Sequence, residues 1–362
     1  MTSYAASATV LGRPLALASL CACALGAAAT LLSFPLGAAQ SVLPGLACAA
    51  LFFAGLAAGS VALSAAVRVA QGRFLEPALP FLESAAAFLP TALALLVASF
   101  ALRAPQSARE GVWLSRDLVA CAALYFSAQR VRRRTGALRW AEGSMRDSVV
   151  YLLVFAIAVS LWTFDLVMEL YPGEPSGVVP AQAFVAAFVS AIAWAALLAC
   201  WKPCALESRH DLGRMLFGFT AFWAYLTWCS FLSVWYANLP AASFEIVAPG
   251  SAGFRSIGFA IVALAFALPF LLLFTERAKR SRLPLSLAAL GVLLGLLAER
   301  ALLVLRPLPP PASIPATLAA ALAATGLAGL FLLSSASHLA TKPGTKPGDT
   351  IRVSQPRPAR RA

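Results

Sequence analysis

Charge is scarce in this sequence. Asp, Glu, Lys and Arg together make up 12% of its 362 residues, whereas apolar residues make up 60%. Soluble globular domains carry about 25% charged residues, so the composition excludes an ordinary soluble fold. With a mean hydropathy of +0.81, it is typical of a protein whose solvent is a lipid bilayer.

Residues that hold cofactors are also scarce. The two histidines, His210 and His338, both fall at the same predicted edge of the bilayer, which excludes a bis-histidine haem buried within it. The seven cysteines lack iron–sulfur or zinc spacing, and even Cys200 and Cys204 are better explained as small apolar side chains. There is no Gly-rich phosphate loop either. We therefore expect any electron carrier to lie in a partner protein or to be a diffusible quinone.

Long apolar runs fill most of the chain. A helix needs about 20 mostly apolar residues to cross roughly 30 Å of hydrocarbon, and we therefore predict an all-α polytopic membrane domain over residues 1–340 with about ten spans. Arg116 and Asp117 make the fourth span the weakest, and the first is expected to be a retained helix rather than a secretory signal. The predicted spans are residues 14–33, 43–66, 80–101, 112–128, 148–170, 178–201, 213–237, 255–275, 283–305 and 314–335.

Basic residues fall mainly on one side of these spans. Of 28 Lys and Arg residues, 22 lie at the termini or in loops that ten spans place on the same side as the termini. By the positive-inside rule, both termini are expected to be cytoplasmic. The net charge of +13 is then a topological signal rather than a sign of nucleic-acid binding. The Pro-rich basic tail, residues 341–362, is expected to be a disordered cytoplasmic segment.

Ionisable residues in or beside the spans are candidate functional groups, because each costs about 2.5–3.5 kcal/mol at the bilayer centre. Asp165 and Glu169 lie one turn apart near the outer end of the fifth span, where they are expected to exchange protons. At the cytoplasmic start of the seventh span, Asp211 either caps the helix or joins His210 in taking up a proton.

Two further groups leave alternatives open. Glu76 and Glu83, about two turns apart on one helix face, either line a proton path or extend to the interface. Five polar and aromatic residues of the seventh span form either an interfacial aromatic belt or a contact with a quinone or a partner. They are Trp223, Tyr225, Trp235, Tyr236 and Asn238.

Several of these motifs together resemble one family. The run HDLGRMLFGFTAFWAYLTWCSFLSVWYANLP at residues 210–240 combines an HDLG start, an FWAY centre and a WYAN-Pro exit on one helix. The stretches at residues 164–195, 268–280 and 298–307 match the same family, so the likeness covers about residues 110–307. The sequence resembles the F-type membrane component of bacterial alternative complex III, one of the polysulfide-reductase-type membrane subunits.

This resemblance implies two four-helix bundles, from the second to fifth and sixth to ninth spans, plus flanking helices. It implies a non-haem subunit of a quinol-oxidising complex in the bacterial inner membrane, active in assembly and proton conduction rather than in catalysis. The implied partners are a paralogous membrane subunit, an iron–sulfur protein and multihaem cytochromes, which hold the haem and iron–sulfur clusters. Contact with a quinone or menaquinone is compatible with this role.

Two alternatives remain open at this point. A secondary transporter would show internal repeats and discontinuous helices broken at matching positions, and the sequence shows no such symmetry. A purely structural membrane anchor would need neither a quinone nor a proton path.

Overall fold

The computed structural model confirms the predicted all-α fold, since no strand occurs within the residues that it describes. Eight helices in these ranges are long and apolar enough to cross a membrane. The protein is therefore a multi-pass membrane protein. The described residues are 12–33, 39–101, 108–133, 142–168, 177–201, 206–236, 252–305 and 314–341.

Each predicted span coincides with a helix or with a run of short helices. The α-helices are α1 Arg13–Ser33, α2 Ala39–Val69, α3 Leu79–Ala86, α4 Leu89–Ala101, α5 Ala108–Arg133, α6 Glu142–Leu166, α7 Val178–Trp201, α8 Leu206–Tyr236, α9 Ala252–Val262, α10 Leu268–Leu272, α11 Glu276–Arg280, α12 Arg282–Leu305 and α13 Ile314–Thr341. A 3₁₀ helix, Arg73–Ala78, precedes α3, and a π-helical turn, Ala263–Ala267, joins α9 to α10.

Two of the ten predicted spans do not count among the eight apolar helices. The first is α5, which is 26 residues long but carries Arg116, Asp117 and a cluster of arginines in its last turn. The second is the short apolar stretch Ser256–Leu272, where the π-helical turn lies just before Pro269. Proline lacks the N–H that an α-helix needs and its ring clashes with the carbonyl four residues earlier, so a local π turn relieves the conflict.

Helix contacts divide the molecule into two bundles. In the first, α2 packs against α3, α4 and α6, and α5 packs against α6. In the second, α7 packs against α8 and α12, and α12 packs against α9 and α10. The seam between the bundles is formed by α2 and α7, while α1 and α13 pair with each other and α13 lies against α2. This agrees with two four-helix bundles plus flanking helices.

Small residues bring α2 and α7 close together at the seam. A Cβ added to Gly59 would lie 2.6 Å from the carbonyl carbon of Ala187, so only glycine fits there. At the same level, the Tyr151 hydroxyl of α6 donates a hydrogen bond of 2.8 Å to the carbonyl oxygen of Ala58. Close packing and interhelical hydrogen bonds of this kind hold helices together in lipid, where apolar burial gives little driving force.

The two ends of the molecule differ in charge. One end, called here the basic end, carries Arg68, Arg132, Arg277 and Arg280. At this end, the Arg68 guanidinium of α2 donates a hydrogen bond of 2.6 Å to the carbonyl oxygen of Val131 in the last turn of α5. The other end, called the opposite end, includes the last turn of α6 and the first turn of α7.

Candidate functional site

At the opposite end, α5 and α6 bring together one cation and two carboxyl groups. The Arg116 guanidinium forms an ion pair with the carboxylate of Asp165. Asp117, only 1% exposed, lies near enough to Asp165 for the two carboxyl groups to interact. Neither Asp117 oxygen has a hydrogen-bond partner among the described residues. One cation balances one carboxylate, which leaves the other carboxyl group suited to hold and release a proton.

This cluster adds a carboxyl group to the predicted outer site. Asp165 lies in the last turn of α6 as expected, and within the described residues it lies near Asp117, which was not predicted as a site residue. In the sequence, Asp117 stood out only as an interruption of the fourth span. The sequence did contain a signal that Asp117 belongs to a functional site, because a carboxylate within a membrane-spanning helix is a functional candidate by default. Glu169, Asn238, Cys204 and residues 342–362 lie outside the described residues.

A second buried carboxylate, Glu299 of α12, was not predicted from the sequence. Its Oε1 accepts hydrogen bonds from Gln182 Nε2 of α7 at 2.6 Å and from Trp223 Nε1 of α8 at 3.2 Å. Gln182 Nε2 also lies 3.2 Å from the hydroxyl oxygen of Thr227. The neighbouring Arg300 places Nη2 3.4 Å from Glu299 Oε2. Three helices of the second bundle therefore converge on one carboxylate.

Burial makes the Glu299–Arg300 pair energetically costly. Glu299 is 5% exposed and Arg300 is 7% exposed, and each ion loses several kcal/mol of hydration when it is buried. Well-packed apolar residues of similar size often serve stability as well or better. An ion pair inside a membrane domain is therefore a functional candidate rather than a source of stability. In the sequence, the Glu299–Arg300 pair could have been noticed as the tripeptide Ala-Glu-Arg at residues 298–300, which interrupts an otherwise apolar run.

The aromatic residues predicted to form one contact on α8 lie on different sides of the helix. Trp223 is 1% exposed and binds Glu299, whereas Tyr225 is 59% exposed. Residues two apart on an α-helix are rotated by about 200°, so they cannot share a face. Trp235 and Tyr236 are also exposed. Trp223 thus belongs to the buried Glu299 cluster, and the other three remain candidates for contact with lipid or a partner.

At the basic end, the helix α11, which precedes α12, is attached to the start of α8. His210 Nε2 pairs with Glu276 Oε2, and its Nδ1 lies 3.8 Å from Asp211 Oδ1. Lys279 Nζ lies 3.1 Å from Glu276 Oε1 and 5.2 Å from the centre of the Phe217 ring. The hydrogen bond from His210, followed by that from Lys279, lowers the pKa of Glu276 to about 2. The predicted pair His210 and Asp211 therefore belongs to a larger cluster that joins two segments.

Two expectations about the basic end are wrong. Since α8 begins at Leu206, Asp211 lies inside the helix and is not its N-cap. Glu76 and Glu83 do not share a face, because Glu76 is exposed on the 3₁₀ helix whereas Glu83 is buried in α3, near Arg132. A 3₁₀ helix has about 3.0 residues per turn, so α-helical spacing does not apply across this break.

Neither metal ligation nor a family comparison identifies the site. Within the described ranges, no group of three or more His, Cys, Asp and Glu side chains is placed to hold a metal ion. No protein-family model matches the chain, and no curated protein matches it significantly. The candidate sites among the described residues are three polar clusters, which are the Asp117–Asp165 cluster, the Glu299 cluster and the His210–Glu276 cluster.

Proposed function

We propose that the protein is a non-haem membrane subunit of a quinol-oxidising respiratory complex of the alternative complex III type, where it supports assembly and conducts protons. The proposed location is a bacterial inner membrane with both termini in the cytoplasm. The observation that carries the proposal is the distribution of protonatable groups. They lie at both ends of the bundles and, at Glu299, inside the second bundle.

The spacing of the clusters supports a role in moving protons. Trp223, which binds Glu299, follows His210 by 13 residues on one continuous helix, a rise of about 20 Å. That is about two thirds of the roughly 30 Å hydrocarbon layer. The His210–Glu276 cluster is thus suited to exchange protons with the cytoplasm, and Glu299 and Asp165 with the other side.

The outward face of α8 supports a role in assembly. It presents a line of exposed aromatic side chains, and aromatic residues are enriched at the cores of protein interfaces. The proposed partner on this face is the paralogous membrane subunit, and a bound quinone would contact the same aromatic side chains. The exposed aromatic residues are Phe222, Tyr225, Trp228, Phe231, Trp235 and Tyr236.

Purification of the tagged protein from its native membrane tests the proposed complex. Co-purification of multihaem cytochromes and an iron–sulfur protein would support it, because the sequence predicts that those cofactors lie in partner proteins. Isolation of the chain as a homo-oligomer, without redox partners, would contradict the proposal and favour a transporter.

Substitution of one carboxylate residue tests the proposed role in proton conduction. In Asp165→Asn, we expect the complex to assemble normally while proton release per quinol oxidised decreases, measured with a pH-sensitive dye in proteoliposomes. Glu207→Gln is the matched control, since Glu207 is an exposed carboxylate in the first turn of α8 and lies outside the three clusters. Unchanged proton release in Asp165→Asn would remove the proposed role of this residue.

A further inference from the structure

A small cavity lies between the two bundles near the opposite end. It is lined by residues of α2, α6, α7 and α12, and its volume is about 30 Å³. A water molecule needs about 10–15 Å³ of such volume, so the cavity has room for about two waters. Apolar side chains form most of the wall, and four residues with polar groups interrupt it, which are Trp162, Thr163, Ser190 and Arg300.

The wall offers the polar partners that buried water requires. The Thr163 hydroxyl donates to the carbonyl oxygen of Val159 at 2.7 Å, and the Ser190 hydroxyl donates to that of Ala187 at 2.9 Å. Both hydroxyl oxygens can still accept a hydrogen bond, and the guanidinium of Arg300 carries five N–H donors. A buried water typically makes two to four hydrogen bonds, which this set of groups can provide.

The cavity also lies between two of the polar clusters. On one side, Arg300 is paired with Glu299. On the other side, the buried indole of Trp162 lies against Cys121 of α5, and Cys121 is close enough to Asp117 to sense its charge. Asp117, whose two oxygens have no hydrogen-bond partner among the described residues, in turn lies near Asp165.

We propose that this cavity is a water-binding site that connects Glu299 to the Asp117–Asp165 cluster. The proposal rests on the proton-conducting function proposed above. When Glu299 has taken up a proton, its carboxyl group gives that proton to a cavity water beside Arg300 and becomes again the carboxylate that pairs with Arg300. The hydrated proton then moves past Trp162 to a carboxylate of the Asp117–Asp165 cluster, which becomes a carboxyl group. No electron moves and no covalent bond forms other than the O–H bonds exchanged.

Gly55→Ala tests this connection because it places a methyl group at the cavity wall. A Cβ on Gly55 would meet only the Cβ of Ala187, at an ordinary distance of 3.8 Å, so the variant is expected to fold and assemble. Gly258→Ala is the matched control, because its Cβ would meet no atom within 4 Å and it lies on α9, away from the cavity, the three clusters and the outward face of α8.

Two readouts on the purified complex decide the question. Cryo-electron microscopy of the wild-type protein is expected to show ordered water in the cavity, and Gly55→Ala is expected to lose it. Proton release per quinol oxidised in proteoliposomes is expected to fall in Gly55→Ala to the level of Asp165→Asn, while Gly258→Ala behaves as the wild type.

The outcomes separate this inference from the proposed function. A cavity without water in the wild type would overturn the inference. Full proton release in Gly55→Ala, with release impaired in Asp165→Asn, would overturn the water connection and leave the proposed function standing. Full proton release in Asp165→Asn as well as in Gly55→Ala would overturn both.

Discussion

Replacement of Gly59 by alanine is expected to destabilise the protein, because Gly59 lies where α2 and α7 are in closest contact. The new Cβ would lie 2.6 Å from the carbonyl carbon of Ala187 and 3.2 Å from its Cβ. Carbon atoms pack best at about 3.5–4.0 Å, and the backbone of Ala187 cannot rotate away. The two helices must therefore move apart by roughly 1 Å.

The size of the effect follows from opposing terms. Overpacking of a tight interface costs about 1–3 kcal/mol, and loss of the neighbouring hydrogen bond from Tyr151 to Ala58 adds about 0.5–1.5 kcal/mol. The higher helix propensity of alanine relative to glycine offsets about 1 kcal/mol of the loss in the free energy of unfolding. We expect a net loss of about 0.5–3.5 kcal/mol, measured as a lower midpoint of unfolding in a titration of mixed micelles with dodecyl sulfate.

Gly258→Ala, on α9, is the matched control for this measurement. Its Cβ would meet no atom within 4 Å, so its stability should equal or slightly exceed that of the wild type. If Gly59→Ala unfolds at the same midpoint as Gly258→Ala, the close approach of α2 and α7 at this level is refuted.

Three further predictions concern the polar clusters and the orientation. Trp223→Phe removes a hydrogen bond of 3.2 Å to Glu299 and should lower the free energy of unfolding by about 1.5–3 kcal/mol. Trp235→Phe is the control, because Trp235 is exposed and its replacement should change the free energy of unfolding little. Equal effects of the two substitutions would contradict the assignment of Trp223 to the buried Glu299 cluster. The pKa of Glu276 is lowered from 4.5 to about 2, so its bond to His210 should stabilise the segment that contains α11 fully above pH 4.5 and be lost as the pH falls toward 2. Protection of the amides of residues 273–281 from hydrogen exchange, corrected for the intrinsic exchange rate at each pH, should decrease over that range, and Glu276→Gln should remove this decrease. Protection that does not change with pH in the wild type would disprove the attachment. Green fluorescent protein fused to either terminus should fluoresce and alkaline phosphatase should be inactive, and the reverse pattern would overturn the predicted orientation.

Helix positions could be predicted from the sequence because the bilayer imposes a length and a polarity on every span. The sixth and ninth predicted spans, residues 178–201 and 283–305, agree with α7 and α12 to within one residue. The start of α8 differs more, since the structure begins at Leu206 and the prediction at residue 213. Apolar periodicity locates the part of a helix inside lipid, whereas the polar turns beyond it follow from local hydrogen bonds.

The side-chain clusters could be predicted only in part. Asp165 and His210 were identified because polar groups near span ends are conspicuous. Their partners Asp117 and Glu276 come from other helices, and spacing along the chain carries no information about which helices touch. The Glu299 cluster was missed for the same reason, since its members come from α7, α8 and α12 and meet only after those helices have packed with a particular rotation.

The pairing of α1 with α13 also has a consequence for biosynthesis. Gly26 of α1 and Gly326 of α13 lie in close contact. The Cys23 thiol contacts the carbonyl oxygen of Gly326, which is 303 residues away in the sequence. At about 5–20 residues per second, the ribosome needs about 15–60 s after making this part of α1 to produce its partner. During that interval the face of α1 that holds Gly26 has no partner in α13, and we expect it to be exposed to lipid. A chain truncated before α13 keeps this face exposed, so we expect it to be degraded faster in the membrane than the full chain.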